Sequence, residues 1–283
     1  MGFFSFFIVG VAYIFTIALG YQGPSALGFV GIFLIITGLV NLASYYWSDQ
    51  MVMAISGAKR IEKNDAPELF RTVENLCIGA GIPLPKIYIM DDSAPNAFAT
   101  GRDPQHAAVA VTRGLLEKLD KLELEGVLAH ELSHVRNYDS RLMTIVVILV
   151  GLVALLADFF LRAQFFGGRD DDRGKSGAIF MVSALIAAIL APISAQLIQL
   201  AISRRREFLA DASGALLTRY PEGLANALEK IASDRTPLNS ASTATAHLYI
   251  ENPFKKGQKG NWLSGLFMTH PPVEERVKAL RSM

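Results

Sequence analysis

The chain of 283 residues has little charge and almost no cysteine. Only 19% of its residues are Asp, Glu, Lys or Arg, and the formal net charge is +1. The sequence contains no run of Lys and Arg interleaved with aromatic residues, so we expect no nucleic-acid partner. The single cysteine, Cys77, cannot form an internal disulfide. This fits a reducing compartment and excludes a metal site built from several thiolates.

Hydrophobic residues make up 51% of the chain and concentrate in four runs that are each long enough to cross a bilayer as a helix. These predicted spans cover residues 3–19, 26–43, 144–161 and 178–202. A cleaved signal peptide is the alternative for the first run, but no basic region precedes it. Helices buried inside a soluble protein are the alternative for the last two runs.

Four spans place both termini on one side of the membrane, and the basic residues near the ends of the spans concentrate on that side. The positive-inside rule therefore puts it in the cytoplasm. The predicted organisation is a transmembrane hairpin (1–44), the first part of a cytoplasmic domain (45–143), two spans joined by a polar loop at 162–177 (144–202), and the second part of that domain (203–283).

Within the cytoplasmic part, the apolar periodicity and the Gly and Pro positions predict short helices and strands. We expect strands at 86–90 and 107–112, separated by the small and polar stretch 93–101. That stretch is either a hairpin loop or an edge strand able to pair with an extended peptide. The predicted helices run from Pro67 to Gly79 or Gly81, over 113–141 with a break near Asp120, and over 207–218, 221–231 and 272–283.

The sequence His130-Glu131-Leu132-Ser133-His134 lies in the helix predicted over 113–141. Two imidazoles four residues apart on a helix are about 40° apart around its axis, so both can bind one metal ion. Glu131 falls within the apolar arc of this helix, where a carboxylate is costly unless it has a partner or a task. The task we predict is to take a proton from a metal-bound water.

A catalytic zinc held by two histidines needs a third protein ligand and an open position for water. The remaining histidines, His106, His247 and His270, are candidates, as are carboxylates. In a continuous helix Asp139 would lie about 140° from His134, too far round to join the site.

Glu207 is the better choice for the third ligand, since His134 and Glu207 both lie within about 10–15 Å of the predicted membrane surface. If the third and fourth spans pack together, the helices that extend from them meet. Asp211 lies one turn further on and can hydrogen-bond a ligating imidazole. The alternative is that Glu207 and Asp211 form a solvated acidic face.

Together these motifs resemble the HtpX family of integral-membrane zinc metalloproteases, which is related to the CAAX prenyl endoproteases. The resemblance covers essentially the whole chain, including the four spans. It is carried by residues 130–134 with Asn137 and Asp139, residues 93–101, residues 206–211, and residues 269–272 with Arg276.

By position, the resemblance implies one zinc ion per chain held by His130, His134 and Glu207, with Glu131 as general base. It also suggests that His270 or Arg276 stabilises the oxyanion. A stretch of three residues, Asn96, Ala97 and Phe98, would lie along the substrate backbone. Around the site we expect Asp211, Asn137 and Asp139 as supporting residues, the last two through capping the motif helix or tying it to its neighbours.

The predicted fold class is a mainly α membrane protein with four transmembrane helices and a cytoplasmic zincin-like α+β protease domain with a small sheet. We expect a multi-pass endopeptidase of the cell (inner) membrane, with both termini and the active site in the cytoplasm. Its partners would be the lipid bilayer and misfolded, damaged or misassembled membrane proteins as substrates, and the sequence leaves room for a homo-oligomer. The alternatives are a non-catalytic membrane scaffold with structural zinc and a processing protease for lipidated carboxy termini.

Overall fold

The computed structural model describes residues 46–146, 204–241, 245–251 and 271–283, together with positions 31, 35 and 39. The chain divides into two compact units, one comprising Ser48–Val147 with Leu197–Met283 and the other Met1–Trp47 with Ile148–Gln196. Within the described ranges, no helix is both long enough and apolar enough to cross a membrane. The predicted spans lie outside these ranges, apart from residues 144–146 and the three single positions.

The larger unit is built from short helices around one small sheet. Its helices are α1 (Ser48–Ile55), α2 (Pro67–Ala80), α3 (Arg113–Lys118), α4 (Lys121–Arg136), α5 (Arg204–Thr218), α6 (Pro221–Ser233) and α7 (Val273–Leu280). Residues 139–146 are also helical, and 3-10 turns cover Pro104–His106 and Ala246–Leu248. The strands are β1 (Lys59–Arg60), β2 (Lys86–Met90), β3 (Ala97–Gly101) and β4 (Ala107–Thr112).

The four strands form a mixed sheet in the order β1-β2-β4-β3. Strands β2 and β4 are parallel, with Lys86 opposite Ala108, whereas β1 and β3 run antiparallel to their neighbours. The predicted strands 86–90 and 107–112 are confirmed with the predicted bounds. The stretch 93–101, for which two alternatives were open, contains the edge strand β3.

Alternate side chains of the sheet pack into two separate hydrophobic clusters, as the two-residue period of a strand requires. Val109 and Val111 of β4 belong to the cluster that also contains Leu128 and Leu132 of α4. Ala108 and Ala110, together with Phe98 of β3, belong to a second cluster on the other face. Every residue of β4 is buried, and α4 meets the sheet mainly along the neighbouring strand β3.

Helix α4 carries the histidine motif and has well-defined ends. It begins at a capping box in which the Asp120 carboxylate accepts from the Glu123 backbone N–H and the Glu123 carboxylate accepts from the Asp120 N–H, both at 2.9 Å. This confirms the predicted break near Asp120. The predicted end at residue 141 is wrong, because the helix stops at Arg136 and Tyr138 adopts a φ of 62°, which turns the chain before it becomes helical again at 139.

Candidate metal centre

Two helices bring three potential ligands together. His130 and His134 lie one turn apart on α4, and Glu207 lies in the first turn of α5. The two Nε2 atoms are 3.1 Å apart, and the Glu207 carboxylate oxygens lie 3.5 Å from Nε2 of His134 and 3.8 Å from Nε2 of His130. One ligand atom from each residue falls within 4.8 Å of the other two, and all three residues are buried.

The chemistry of this donor set fits a metal ion. The Nδ1 atom of each imidazole faces a carboxylate, Asp211 for His130 and Asp139 for His134. When Nδ1 carries the proton, Nε2 presents a lone pair. Two such lone pairs and a carboxylate then converge on one buried point, and this combination of nitrogen and oxygen ligands suits a divalent cation.

On the His130 side, Asp211 connects the imidazole to a buried arginine. Its Oδ1 lies 2.9 Å from Nδ1 of His130. Arg276 of α7 donates to both oxygens of the same carboxylate, from Nε at 2.9 Å and from Nη2 at 2.7 Å. Both Asp211 and Arg276 are fully buried, so this is a bidentate ion pair that holds the carboxylate in one orientation.

On the His134 side, Asp139 connects the second imidazole to a second arginine. Its Oδ2 lies 3.3 Å from Nδ1 of His134, and its Oδ1 accepts from Nη1 of Arg206 at 2.8 Å. The prediction from a continuous helix, that Asp139 would lie about 140° from His134, does not apply because α4 ends at Arg136 and the following turn redirects Asp139 toward the imidazole. Asp139 faces Nδ1 of His134 and therefore orients the ring from the side opposite to the ligating Nε2.

The electrostatics of the two imidazoles differ. Burial lowers the pKa of His130 to about 4, with the Arg276 charge acting in the same direction and the Asp211 hydrogen bond opposing both. Burial also acts to lower the pKa of His134, but Asp139, Glu207 and Glu131 outweigh it and raise that pKa to about 9.

The supporting pair on the His130 side is strongly ionic. Burial would raise the pKa of Asp211, but the Arg276 charge and the hydrogen bond from His130 bring it down to about 2. Burial would likewise lower the pKa of Arg276, but the nearby carboxylates raise it instead. Asp211 and Arg276 are thus both charged at neutral pH.

Glu131 lies on α4 between the two histidines and is 2% exposed. Its negative charge helps to raise the pKa of His134. Its burial agrees with its predicted place within the apolar arc of the helix.

The structure separates some of the other predicted site residues from this cluster. Asn137 is the C-cap of α4, where its backbone N–H donates to Ser133 O at 2.9 Å and its side chain is exposed, so it supports the helix end and not the imidazoles. His106 is exposed in a turn, where Nδ1 lies 2.7 Å from Asp103 Oδ1. His270 and the side chain of His247 lie outside the described residues.

The predicted substrate-binding residues lie at the start of the edge strand, where they contact residues 249–251. The Asn96 amide donates to Glu251 O at 3.1 Å, and Ala97 O accepts from Ile250 N at 3.0 Å. Phe98 is fully buried and contacts Tyr249 edge to face, with ring centroids 5.1 Å apart. The Phe98 side chain is therefore part of the core.

Sequence reasoning assigned no role to Arg206 beyond the family motif and the count of basic residues near span ends. The signal that could have identified it is the pair formed by an arginine directly before Glu207 and an aspartate five residues after His134. Only the turn at 137–138 brings these two side chains together.

A helix bearing His-Glu-x-x-His, a third ligand on a second helix and a small sheet beside them define a metalloprotease of the zincin type. The comparison with protein families gives the same class, since the family model of Peptidase family M48 matches residues 63–283. The chain belongs to Peptidase family M48, and the predicted enzyme class is confirmed.

Individual relatives show to which group within Peptidase family M48 the chain is similar. The chain is 48% identical over 278 residues to the Protease HtpX homolog of Tropheryma whipplei (strain Twist), covering 96% of this chain and 94% of the relative. It is 50% identical over 244 residues to the Protease HtpX homolog of Dictyoglomus thermophilum, covering 86% and 78% respectively. The predicted resemblance to the HtpX family is therefore confirmed.

A solved structure shares the fold. The crystal structure of S. mikatae Ste24p superimposes with a TM-score of 0.52 at 22% identity, and the match covers 96% of this chain. The chain spans 62% of the length of that structure.

Proposed function

We propose that this metalloprotease is a zinc-dependent endopeptidase of the cell membrane that hydrolyses peptide bonds of misfolded or damaged membrane proteins. The observation that carries the proposal is the convergence of His130 Nε2, His134 Nε2 and the Glu207 carboxylate within 4.8 Å, beside the buried Glu131. His130, His134 and Glu207 would hold one zinc ion per chain.

When bound, zinc lowers the pKa of a water from 15.7 to about 7 and polarises the scissile carbonyl. Glu131 takes the proton of the attacking water and delivers it to the leaving amine, which is the role of a general base and then a general acid. Asp211 and Asp139 hold the imidazoles with Nδ1 protonated, so that both Nε2 atoms face the same point.

The bidentate contact of Arg276 with Asp211 supports a positioning role for this arginine. Its Nη2 lies 3.4 Å from His130 Nδ1, and its Nη1 lies 3.4 Å from Ile250 O. Nη1 also lies 3.8 Å from Glu207 Oε2, so we keep both His270 and Arg276 for the oxyanion role that the family resemblance suggests.

The proposed peptide path runs along β3. Asn96 O accepts from Thr112 N, which makes Asn96 and Thr112 a hydrogen-bonded pair of the antiparallel ladder. Such pairs alternate along a strand, so the next residue of β3 that bonds to β4 is Phe98. The backbone N–H and C=O groups of Ala97 and Ala99 therefore face the open edge of the sheet. A peptide added there would bond through its backbone and select little sequence, which suits an enzyme that degrades damaged proteins. Because Ile250 N–H already donates to Ala97 O, we propose that the peptide displaces residues 249–251 from this position.

Membrane insertion is the part of the proposal that rests on the sequence. The four uncharged runs and the distribution of basic residues support a multi-pass protein whose active site and termini are cytoplasmic. Trp47, four residues after the end of the second predicted span, is 55% exposed, as expected for an aromatic residue at the level of the lipid headgroups. We further propose that residues 45–143 and 203–283 together form the catalytic domain.

The competing function is a scaffold in which zinc only braces two helices. Structural zinc is normally closed by four protein ligands. Among the described residues, the metal-binding group at this position contains three, which leaves a position for water and favours catalysis.

The test is metal analysis of the purified full-length protein combined with a cleavage assay on an unfolded protein such as reduced casein. We expect one zinc per chain and cleavage that a chelator stops and added zinc restores. Stoichiometric zinc without any cleavage would support the scaffold, and absence of bound zinc would overturn the proposed centre.

A further inference from the structure

We propose that Arg206 is a positioning residue of the zinc site, which sets metal affinity by holding Asp139 against His134. The inference rests on the proposed zinc site and adds a residue to it. Arg206 lies one position before the ligand Glu207 on α5, so the same helix that supplies a ligand also supplies this support.

The geometry forms a chain of three side chains that starts at the protein surface. The Arg206 side chain is 39% exposed and donates from Nη1 to Asp139 Oδ1 at 2.8 Å. Asp139 is 5% exposed at its side chain, and its second oxygen lies 3.3 Å from Nδ1 of His134. Arg206 therefore fixes the orientation of a buried carboxylate, and the carboxylate in turn fixes the tautomer and ring orientation of a ligand.

The other histidine has the same arrangement, which supports a shared purpose. His130 Nδ1 faces Asp211, and Asp211 is held by Arg276. Each imidazole is thus backed by an aspartate, and each aspartate by an arginine. The two arginines differ in burial, since Arg276 is fully buried whereas Arg206 can be replaced at the edge of the site without opening the core.

Removal of Arg206 leaves one oxygen of a buried carboxylate without this donor. The carboxylate can then turn toward water. The His134 ring would lose its fixed orientation, and Nε2 would no longer be held in the direction of the metal. Loss of partners behind a metal ligand typically costs 10–100-fold in metal affinity. Because Arg206 is one step further out than Asp139, we expect a loss of about 10-fold, at the lower end of that range.

The chain offers a matched control at the preceding position. Arg205 is exposed on the same helix, so Arg205→Ala removes the same charge near the predicted membrane surface. We would measure the zinc dissociation constant of the full-length protein in detergent by competition with a chelator, and the visible spectrum of the cobalt-substituted protein. We expect Arg206→Ala to weaken zinc about 10-fold and change the cobalt spectrum, Arg206→Lys to recover part of the affinity, and Arg205→Ala to match wild type.

A double-mutant cycle separates this role from a general effect on folding. If Arg206 acts through Asp139, then Arg206→Ala should add no further loss of affinity to an Asp139→Asn protein. The cycle stays informative if Arg206→Ala folds poorly, because Arg206→Lys can take its place. Additive losses, or equal zinc affinity in Arg206→Ala and Arg205→Ala, would overturn the inference while the zinc site stands. A wild-type protein that bound neither zinc nor cobalt would overturn the proposed function and this inference with it.

Discussion

A β-carbon placed on Gly214 would lie 3.0 Å from the backbone nitrogen of His130, with two further backbone carbons at 3.3 Å. The helix that carries Glu207 therefore meets the backbone of the helix that carries both histidines, and a side chain of any size at 214 would separate them. The absence of a side chain here is part of what brings the third ligand to the other two.

Gly214→Ala should weaken zinc binding and lower stability, although alanine is the better helix former. The new β-carbon would meet backbone atoms, so the two helices must move apart by a few tenths of an ångström. Overpacking of this kind costs about 1–3 kcal/mol, against about 1 kcal/mol of gained helix propensity. We would measure zinc affinity and the free energy of unfolding. Gly79→Ala is the control, because its β-carbon would meet only the flexible end of Leu217, and it should be neutral or stabilising. A Gly214→Ala protein with unchanged zinc affinity would show that the helices can separate without moving Glu207.

The Glu131→Gln variant should retain bound zinc and lose peptide-bond cleavage. The amide is close in size to the carboxylate but cannot accept the proton of the attacking water, and a general base is worth about 100-fold to 10,000-fold in rate. Zinc content and the rate of casein cleavage would be measured on the same preparation. Glu125→Gln, nearer the start of the same helix, serves as the control and should retain both. Cleavage by Glu131→Gln at the wild-type rate would mean that another group is the base.

Arg276→Ala should destabilise the protein severely. It leaves Asp211 as an unpaired charge in a fully buried position, and breaking a buried pair in this way costs about 3–5 kcal/mol. Arg276→Lys should recover little, because a single ammonium cannot reproduce the two-point contact with the carboxylate. The measurement is the free energy of unfolding by denaturant.

Arg281→Ala is the control for Arg276, since Arg281 lies just beyond the same helix and donates to Glu229, Glu222 and Asn226 in hydrogen bonds that are exposed to solvent. We expect only a small change in stability from it. If both arginine substitutions had the same small effect, the buried pair would not be holding Asp211.

The local chemistry of the centre could be predicted from the sequence because it depends on helical periodicity. The one-turn spacing of His130 and His134 and the one-turn spacing of Glu207 and Asp211 are properties of any α-helix, and both are found in the structure. The bounds of β2 and β4 could also be predicted, because each strand is an apolar run between turn residues.

Relations that depend on turns and on distant segments could not be predicted in this way. Tyrosine rarely adopts a positive φ, so the sequence does not signal the turn at Tyr138 that directs Asp139 toward His134. The contact of Ile250 with the edge strand joins residues 153 positions apart, which no local pattern encodes. The roles of Arg206 and Arg276 as partners of the two aspartates also required the fold.

Cys77 should be inert in the native protein. It is 3% exposed on α2, and burial raises the pKa of its thiol to about 12, so almost no thiolate is present at neutral pH. We expect no reaction with a thiol reagent at pH 8 until the protein is unfolded, when one thiol per chain should react. Rapid labelling of the native protein would show that α2 opens locally.

The contact between Asn96 and Glu251 offers a direct test of the proposed peptide path. The Asn96 amide nitrogen lies 3.1 Å from Glu251 O, so cysteines at these two positions, in a Cys77→Ala background, are candidates for a disulfide that keeps residues 249–251 on the edge strand. If a peptide must displace that segment, the oxidised protein should lose casein cleavage and regain it on reduction, with zinc content unchanged. Comparing the two redox states of one protein controls for the loss of the Asn96 amide.

Hydrogen exchange tests the same displacement without relying on cleavage. The Ile250 amide donates to Ala97 O, so it should exchange slowly in the resting protein and faster once a peptide hydroxamate occupies the site. If the Ile250 amide stayed protected with the hydroxamate bound, and the oxidised protein cleaved casein as fast as the reduced one, residues 249–251 would be a permanent part of the sheet edge. The substrate would then have to pair further along β3, at Ala99, where the backbone faces the open edge.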